Sequence, residues 1–190
     1  MMVSNERPGR TEGWPARPPA TGPAEEVDGV LQRLSARLDV LAGPGCATAA
    51  AGPPTACLDE LYGYLVEDLG PVLVSLSERV RPALRRAGAF GPGTRAAEEH
   101  ARLLRLTERV ASFRDAYILG GDPTRLRDLA VALVDECTAL ATAHLLRARD
   151  TLPAALRTVP PELAVQIVDT ARRTARVIHD RAQEPEPALR

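Results

Sequence analysis

Histidine is the residue type in this sequence that could carry chemistry most readily, and the chain has three: His100, His144 and His179. His100 and His144 stand at apolar spacing on predicted helices, so both are expected to face a core, whereas His179 lies close to the C-terminal end. An imidazole can bind a transition metal, ligate haem or carry a proton. His100 and His144 are therefore the candidate metal-binding residues.

Three interpretations of this pair remain open from the sequence. The two rings could be neutral and satisfied by Thr107, by backbone or by buried water, because an unpaired buried polar group costs about 1–3 kcal/mol. They could form a residual site for a single cation, helped by Glu99 or Asp150, although transition metals usually take more ligands. They could also bind haem between facing helices. A phosphorylatable histidine is a weaker alternative, since the exposed setting with flanking Lys and Gly is missing.

The cysteines do not form a recognisable site. Cys46, Cys57 and Cys137 are odd in number and lack any C-x-x-C spacing, which argues against a disulfide framework or a zinc ribbon. We expect free thiols in a reducing cytosol.

The basic residues are all arginine, 24 of them against 25 acidic residues, which gives a formal net charge of -1. A chain this close to neutral has no bulk attraction for nucleic acid or an anionic membrane, and aromatic residues for base stacking make up only 3%. Interleaved glutamates indicate a mixed, solvated surface for the two arginine clusters: Arg79, Arg81, Arg85 and Arg86, then Arg102, Arg105 and Arg109. Because no phosphate-binding loop, catalytic triad or paired catalytic carboxylates are found, we expect no enzyme.

Five helices are predicted to position these residues, because Gly and Pro clusters separate five amphipathic segments. The first runs from Glu25 to Leu41, and the second from a cap at Thr55 to the glycines from Gly88 onward, with a kink near Leu69 caused by Pro71. The others are predicted from Thr94 to Gly120, from Pro123 to beyond Pro153, and from Pro161 to about Arg181. Predicted inward residues are Val27, Leu31, Leu34, Leu38, Leu41, Leu58, Tyr62, Leu65, Leu69, Val72, Leu76, Val80, Ala96, Leu103, Thr107, Val110, Leu126, Leu133, Cys137, Leu140, Ile167, Ala171 and Ile178.

The domain organisation follows from the same breakers. Residues 1–24 are predicted to be a disordered segment, 25–182 a helical bundle and 183–190 a flexible tail. Short loops between long amphipathic helices favour an antiparallel up-down arrangement. The apolar runs are short, so no membrane span is predicted, and a cytoplasmic location is expected.

Several segments resemble the hemerythrin-like, or HHE cation-binding, family. Residues 69–84 (LGPVLVSLSERVRPAL) resemble its second helix, and the Glu98-Glu99-His100 start resembles its third. The run from His144 to Leu156, closing on Leu152-Pro153, resembles its fourth. The resemblance covers roughly residues 25–171 and implies an all-α, antiparallel up-down four-helix bundle with an extra C-terminal helix.

The metal ligands are where the chain departs from this family, whose di-iron centre uses five histidines and two carboxylates to bind dioxygen or to sense oxygen, iron or redox state. The three histidines of this chain cannot supply the five histidine ligands of that centre. Val72 stands at the Pro-His position and Leu76 at the carboxylate four residues later. Leu104, Ala148 and Arg149 stand where further ligands are found in the family.

The sequence therefore predicts a non-enzymatic binding or regulatory bundle whose cation site is largely degenerate. The alternative is a metal- or haem-dependent oxygen or redox sensor that uses His100 and His144. No cofactor is expected, and the candidates if one binds are iron and haem. A protein partner is compatible with this prediction, nucleic acid and membrane are not expected, and the sequence does not fix the oligomeric state.

Overall fold

A computed structural model describes Trp14 and residues 21–42, 54–91, 94–118 and 123–183. Over these ranges the chain is all-helical, with no β-strand, which confirms the predicted class. The five helices are α1 (Pro23–Ala42), α2 (54–86), α3 (Thr94–Ile118), α4 (Pro123–Arg157) and α5 (Pro161–Gln183). Their number and approximate bounds agree with the sequence prediction.

Helix α1 begins at Pro23, slightly before the predicted start at Glu25. It begins within the segment predicted to be disordered, because the Glu26 amide donates to the Gly22 carbonyl at 3.0 Å. Trp14 belongs to the same segment, yet its half-buried side chain packs against the core and its indole N–H donates to the Glu26 carboxylate. The bundle therefore extends to residues N-terminal of Glu25.

Helix α2 contains two π-helical turns, and each ends just before a proline. Tyr64–Leu69 precedes Gly70-Pro71, and Leu76–Val80 precedes Arg81-Pro82. A proline removes a backbone donor and its ring crowds the preceding turn, so a wider turn relieves the contact. His179 of α5 donates from Nδ1 to the Glu67 carbonyl at 2.8 Å, which is the carbonyl four residues before Pro71. The disturbance predicted near Leu69 thus takes the form of a π turn.

The core is built almost wholly from Leu, Val and Ala, as the composition predicts. Helix α1 packs chiefly on α4, α5 packs on the middle of α2, and α3 packs on α4 and the start of α2. Most of the predicted inward residues with described side chains are buried, while Leu41, Tyr62, Thr107, Leu140 and Ile178 are only half-buried. The side chains of Ala96 and Leu126 lie outside the described set. Tyr64 is fully buried and donates its hydroxyl to the Leu34 carbonyl at 2.8 Å.

Two ion pairs also cross the interior. Arg172 of α5 holds the Glu26 carboxylate of α1 with both Nε and Nη2, at distances of 2.7–3.0 Å, and both residues are buried. Arg37 pairs with the buried Asp68 at 2.7 Å. Neither pair is predictable from local spacing in the sequence, because each joins residues on different helices.

One segment of α4, Asp128–Arg157, is long and apolar enough by composition to cross a membrane, although the individual apolar runs within it are short. Of the most apolar stretch of this segment, 33% is buried inside the protein, and the helix packs on α1 and α3. A core helix meets the same test, so this segment is weak grounds for a membrane role.

Candidate functional site

The two candidate histidines meet where α3 packs on α4. Their ring centroids lie 6.4 Å apart, with the planes inclined at 39°. His144 is buried at 4% exposure, while His100 is half-buried. Leu103, one turn after His100, and Leu145, beside His144, are buried and keep the two helices in contact. The two imidazoles, each expected from its apolar spacing to face a core, thus lie close to each other across adjacent helices.

Thr107, one of the three kinds of partner considered for the imidazoles, pairs with neither ring. Its hydroxyl donates to the Leu103 carbonyl of its own helix at 3.0 Å. Nδ1 of His100 is buried without a hydrogen-bond partner among the described residues, and Nδ1 of His144 is buried with the Glu99 carboxylate 3.5 Å away. The Thr107 assignment is wrong because a helix interior offers a threonine hydroxyl a nearer acceptor one turn back.

Of the two carboxylates suggested as helpers, Glu99 joins the pair and Asp150 does not. Glu99 Oε2 lies 3.5 Å from His144 Nδ1, and Glu99 Oε1 accepts a short hydrogen bond from Arg147. Asp150 is exposed, since it falls on the outer face of α4. The Glu99 carboxylate, which a bound cation would need as a ligand, is thus already paired with Arg147.

Arg81 is the residue of this site that the sequence analysis placed wrongly. It was assigned to a solvated surface cluster, but it is only 6% exposed, whereas Arg79, Arg85 and Arg86 are exposed. Its Cζ lies 5.7 Å from the centroid of the Phe90 ring, and no carboxylate among the described residues comes within ion-pair distance. A buried cation without a close counter-ion carries a large desolvation cost.

Burial and Arg81 together set the charge state of the histidines. Desolvation, followed by the Arg81 charge, lowers the pKa of His144 to about 4, against a partial opposing effect of Glu99. The same two causes lower the pKa of His100, with Glu78 opposing them. Both rings are therefore neutral at physiological pH.

The pKa values of Arg81 and Glu99 are also lowered. Burial, with the nearby charges of Arg85 and Arg147, lowers the pKa of Arg81, and Glu99 acts against this from a longer distance. Desolvation would raise the pKa of Glu99, but the hydrogen bond and charge of Arg147, with His144, lower it on balance. The charges that act on Arg81 and the two histidines are thus mixed in sign: Arg85 and Arg147 on one side, Glu78 and Glu99 on the other.

The residues present do not fit a di-iron centre. Val72, Leu76 and Ala148 are 0–2% exposed and pack in the core, so hydrocarbon fills those positions. Leu104 is 46% exposed and so does not face the core at all, which corrects its assignment to a former ligand position. No group of three or more His, Cys, Asp or Glu that could hold a metal is found in the described part of the chain.

Cys137 is a free, buried thiol about two helical turns before His144 on α4. Burial raises the pKa of this thiol to about 11, so it stays protonated and unreactive. Cys46 and the side chain of Cys57 lie outside the described residues.

An open groove of about 510 Å³ runs beside the site between the end of α2 and the last turns of α4. Phe90, Thr151, Ala154 and Thr158 are among the residues that line it. The hydroxyls of Thr151 and Thr158 donate to the carbonyls of Arg147 and Ala155. The groove wall is mostly apolar.

No family model, no curated protein and no solved structure matches this chain.

Proposed function

We propose that this chain is a non-enzymatic binding or regulatory protein, built on a hemerythrin-like, antiparallel up-down four-helix bundle with an added C-terminal helix, in which the cation site has largely been replaced. The observation that carries the proposal is the burial of hydrocarbon at Val72, Leu76 and Ala148. In the family that the sequence resembles, the first two of these positions carry ligands.

Electrostatics support the same proposal. The two remaining histidines stand in the field of the buried Arg81, which lowers the pKa of both rings because it disfavours a second positive charge nearby. A divalent or trivalent cation would meet the same repulsion more strongly. The carboxylate nearest the histidines, Glu99, is engaged by Arg147.

The experiment is metal analysis of the full chain purified from iron-replete cells, with an affinity tag that contains no histidine. We expect less than stoichiometric iron and no oxo-bridged di-iron absorption. The double variant His100→Leu/His144→Leu serves as the control for adventitious binding, and we expect it to retain the same trace of iron as the wild type. Two irons per chain in the wild type would contradict the proposal.

A second candidate is favoured by one observation, the 6.4 Å approach of the His100 and His144 rings. A metal- or haem-dependent oxygen or redox sensor would place its group between them. Loading with iron or haemin, followed by an absorption spectrum, separates the two candidates. A ligand-field or Soret band that disappears in both His100→Leu and His144→Leu would establish the sensor and reject the binding bundle.

A further inference from the structure

We propose that the contact between α1 and α5 carries a binding site for an indole ring with a free N–H, and that Trp14 fills this site from within the chain. The indole site consists of the Glu26 carboxylate, held by Arg172, and the part of the core surface against which Trp14 packs. A small indole compound is the class of ligand that would take the place of Trp14. This inference goes beyond the proposed function and does not involve the former cation site.

Trp14 contacts the helices from outside them. It lies before α1, which begins at Pro23, and its half-buried side chain packs against the core. Its indole N–H donates to Glu26 Oε1. Because part of the ring is exposed, the indole site opens to solvent on that side.

The two helices hold the acceptor without help from Trp14. Glu26 of α1 is 6% exposed, and both of its carboxylate oxygens accept hydrogen bonds from Arg172 of α5, at 2.7–3.0 Å. Asp169 Oδ1 accepts from the other terminal nitrogen of Arg172, at 2.6 Å. The Glu26 carboxylate is thus fixed by the ion pair and should stay in position when the Trp14 ring is removed.

The chemistry of this cluster favours a ligand that only donates. The carboxylates of Glu26 and Asp169 meet the one guanidinium of Arg172, so the cluster is rich in acceptor oxygens. An indole N–H is a donor with no acceptor beside it, and a hydrogen bond to an ionised carboxylate is about twice as strong as one between neutral groups. An indole methylated on its nitrogen has the same ring but lacks the donor.

The test measures the melting temperature of the full-length Trp14→Ala variant, in which the indole site is empty, with indole and 1-methylindole as probes. Indole at ten times its Kd should raise this temperature by about 3–6 °C, whereas 1-methylindole should not. If Trp14→Ala does not fold, indole should restore its helical circular dichroism and 1-methylindole should not. Equal effects of the two probes, or no effect of indole, would overturn the proposal.

The wild-type chain shows whether the probe binds where Trp14 does. At the same indole concentration its melting temperature should rise less than that of Trp14→Ala, because Trp14 competes from within the chain. An equal rise would place the bound indole elsewhere and overturn the proposal.

Two further variants separate the indole site from general binding of aromatic rings. Phe90→Ala removes another half-buried aromatic side chain that packs against the core, so indole and 1-methylindole should act alike on it. Trp14→Phe keeps an aromatic ring but loses the donor, and should melt below the wild type. A preference for indole in Phe90→Ala, or a Trp14→Phe as stable as the wild type, would overturn the role of the Glu26 carboxylate, while the iron analysis above would stand unaffected.

Discussion

The two imidazoles at the α3–α4 contact make the stability of the protein depend on pH. The pKa of His144 is about 4 in the folded chain against an ordinary value of 6.5, so the unfolded chain binds more protons between these two values. Stability should be full above pH 6.5 and fall as the pH drops from there to about 4. The loss from this one residue is on the order of 3 kcal/mol.

His144→Leu should therefore be tolerated at neutral pH and should blunt the acid sensitivity, because leucine has similar bulk and no proton to gain. His100→Leu should act in the same direction, since the pKa of His100 is also lowered. Urea unfolding at pH values from neutral to about 4 measures the slope. Leu76→Ala is the matched control, because it lowers stability at every pH without changing the slope. An unchanged slope in His144→Leu would contradict this explanation.

Part of this site could be predicted from residue types and spacing. The inward placement of His100 and His144 followed from helical periodicity, and their neutrality from burial. The burial of Arg81 could not be predicted in this way, because its neighbours Arg79, Arg85 and Arg86 are all exposed. One signal was available in the sequence: Arg81 lies one residue after the buried Val80 and three before the buried Leu84, which puts it on the inner face.

At the scale of the helix, the π turn before Pro71 gives a prediction at Gly70. A Cβ on Gly70 would lie 2.7 Å from the Leu65 carbonyl oxygen, a backbone atom that cannot move aside cheaply. Gly70→Ala should therefore destabilise the protein by about 1–3 kcal/mol, despite the better helix propensity of alanine.

Gly63 provides the matched control in the same helix, because a Cβ there meets nothing within 4 Å. Gly63→Ala should stabilise by up to about 1 kcal/mol through propensity alone. Thermal or urea unfolding of both variants measures the two free energies. Changes of the same sign at the two glycines would contradict the steric role of the π turn.

The five helices themselves were predictable, since each has an amphipathic period bounded by Gly or Pro. The π turns were not, because a proline inside an apolar helical pattern indicates a disturbance without specifying whether the helix bends or widens. The backbone carbonyl of Glu67 accepts a hydrogen bond from His179 of α5, which lies 112 residues away in the chain. A contact between residues so far apart has no local signal in the sequence.

At the scale of the whole molecule, the Glu26–Arg172 pair ties the first helix to the last. Arg172→Met should cost about 3–5 kcal/mol, because it leaves the buried Glu26 carboxylate without its counter-ion. The double variant Glu26→Leu/Arg172→Met should recover most of this loss, since apolar side chains of similar volume can replace a buried pair.

The fluorescence of Trp14, the one tryptophan in the chain, reports on the same contact because its indole N–H donates to Glu26. We expect a blue shift of the emission in the double variant, because the indole N–H loses a charged acceptor that stabilises its excited state, and chemical unfolding measures the two free energies. A single variant no less stable than the wild type would contradict the role of the pair in joining α1 to α5.

We expect buried hydrocarbon, rather than a metal, to keep these helices together. Leu76 is 2% exposed, so Leu76→Ala should destabilise the protein by about 2–5 kcal/mol with or without added iron.

The most direct test is the melting temperature of the wild-type chain from iron-replete cells, measured before and after exhaustive treatment with a strong iron chelator. The account predicts the same melting temperature in both samples, because the positions that would ligate iron are packed with Val72, Leu76 and Ala148. A melting temperature that falls on chelation and recovers when iron is returned would contradict it.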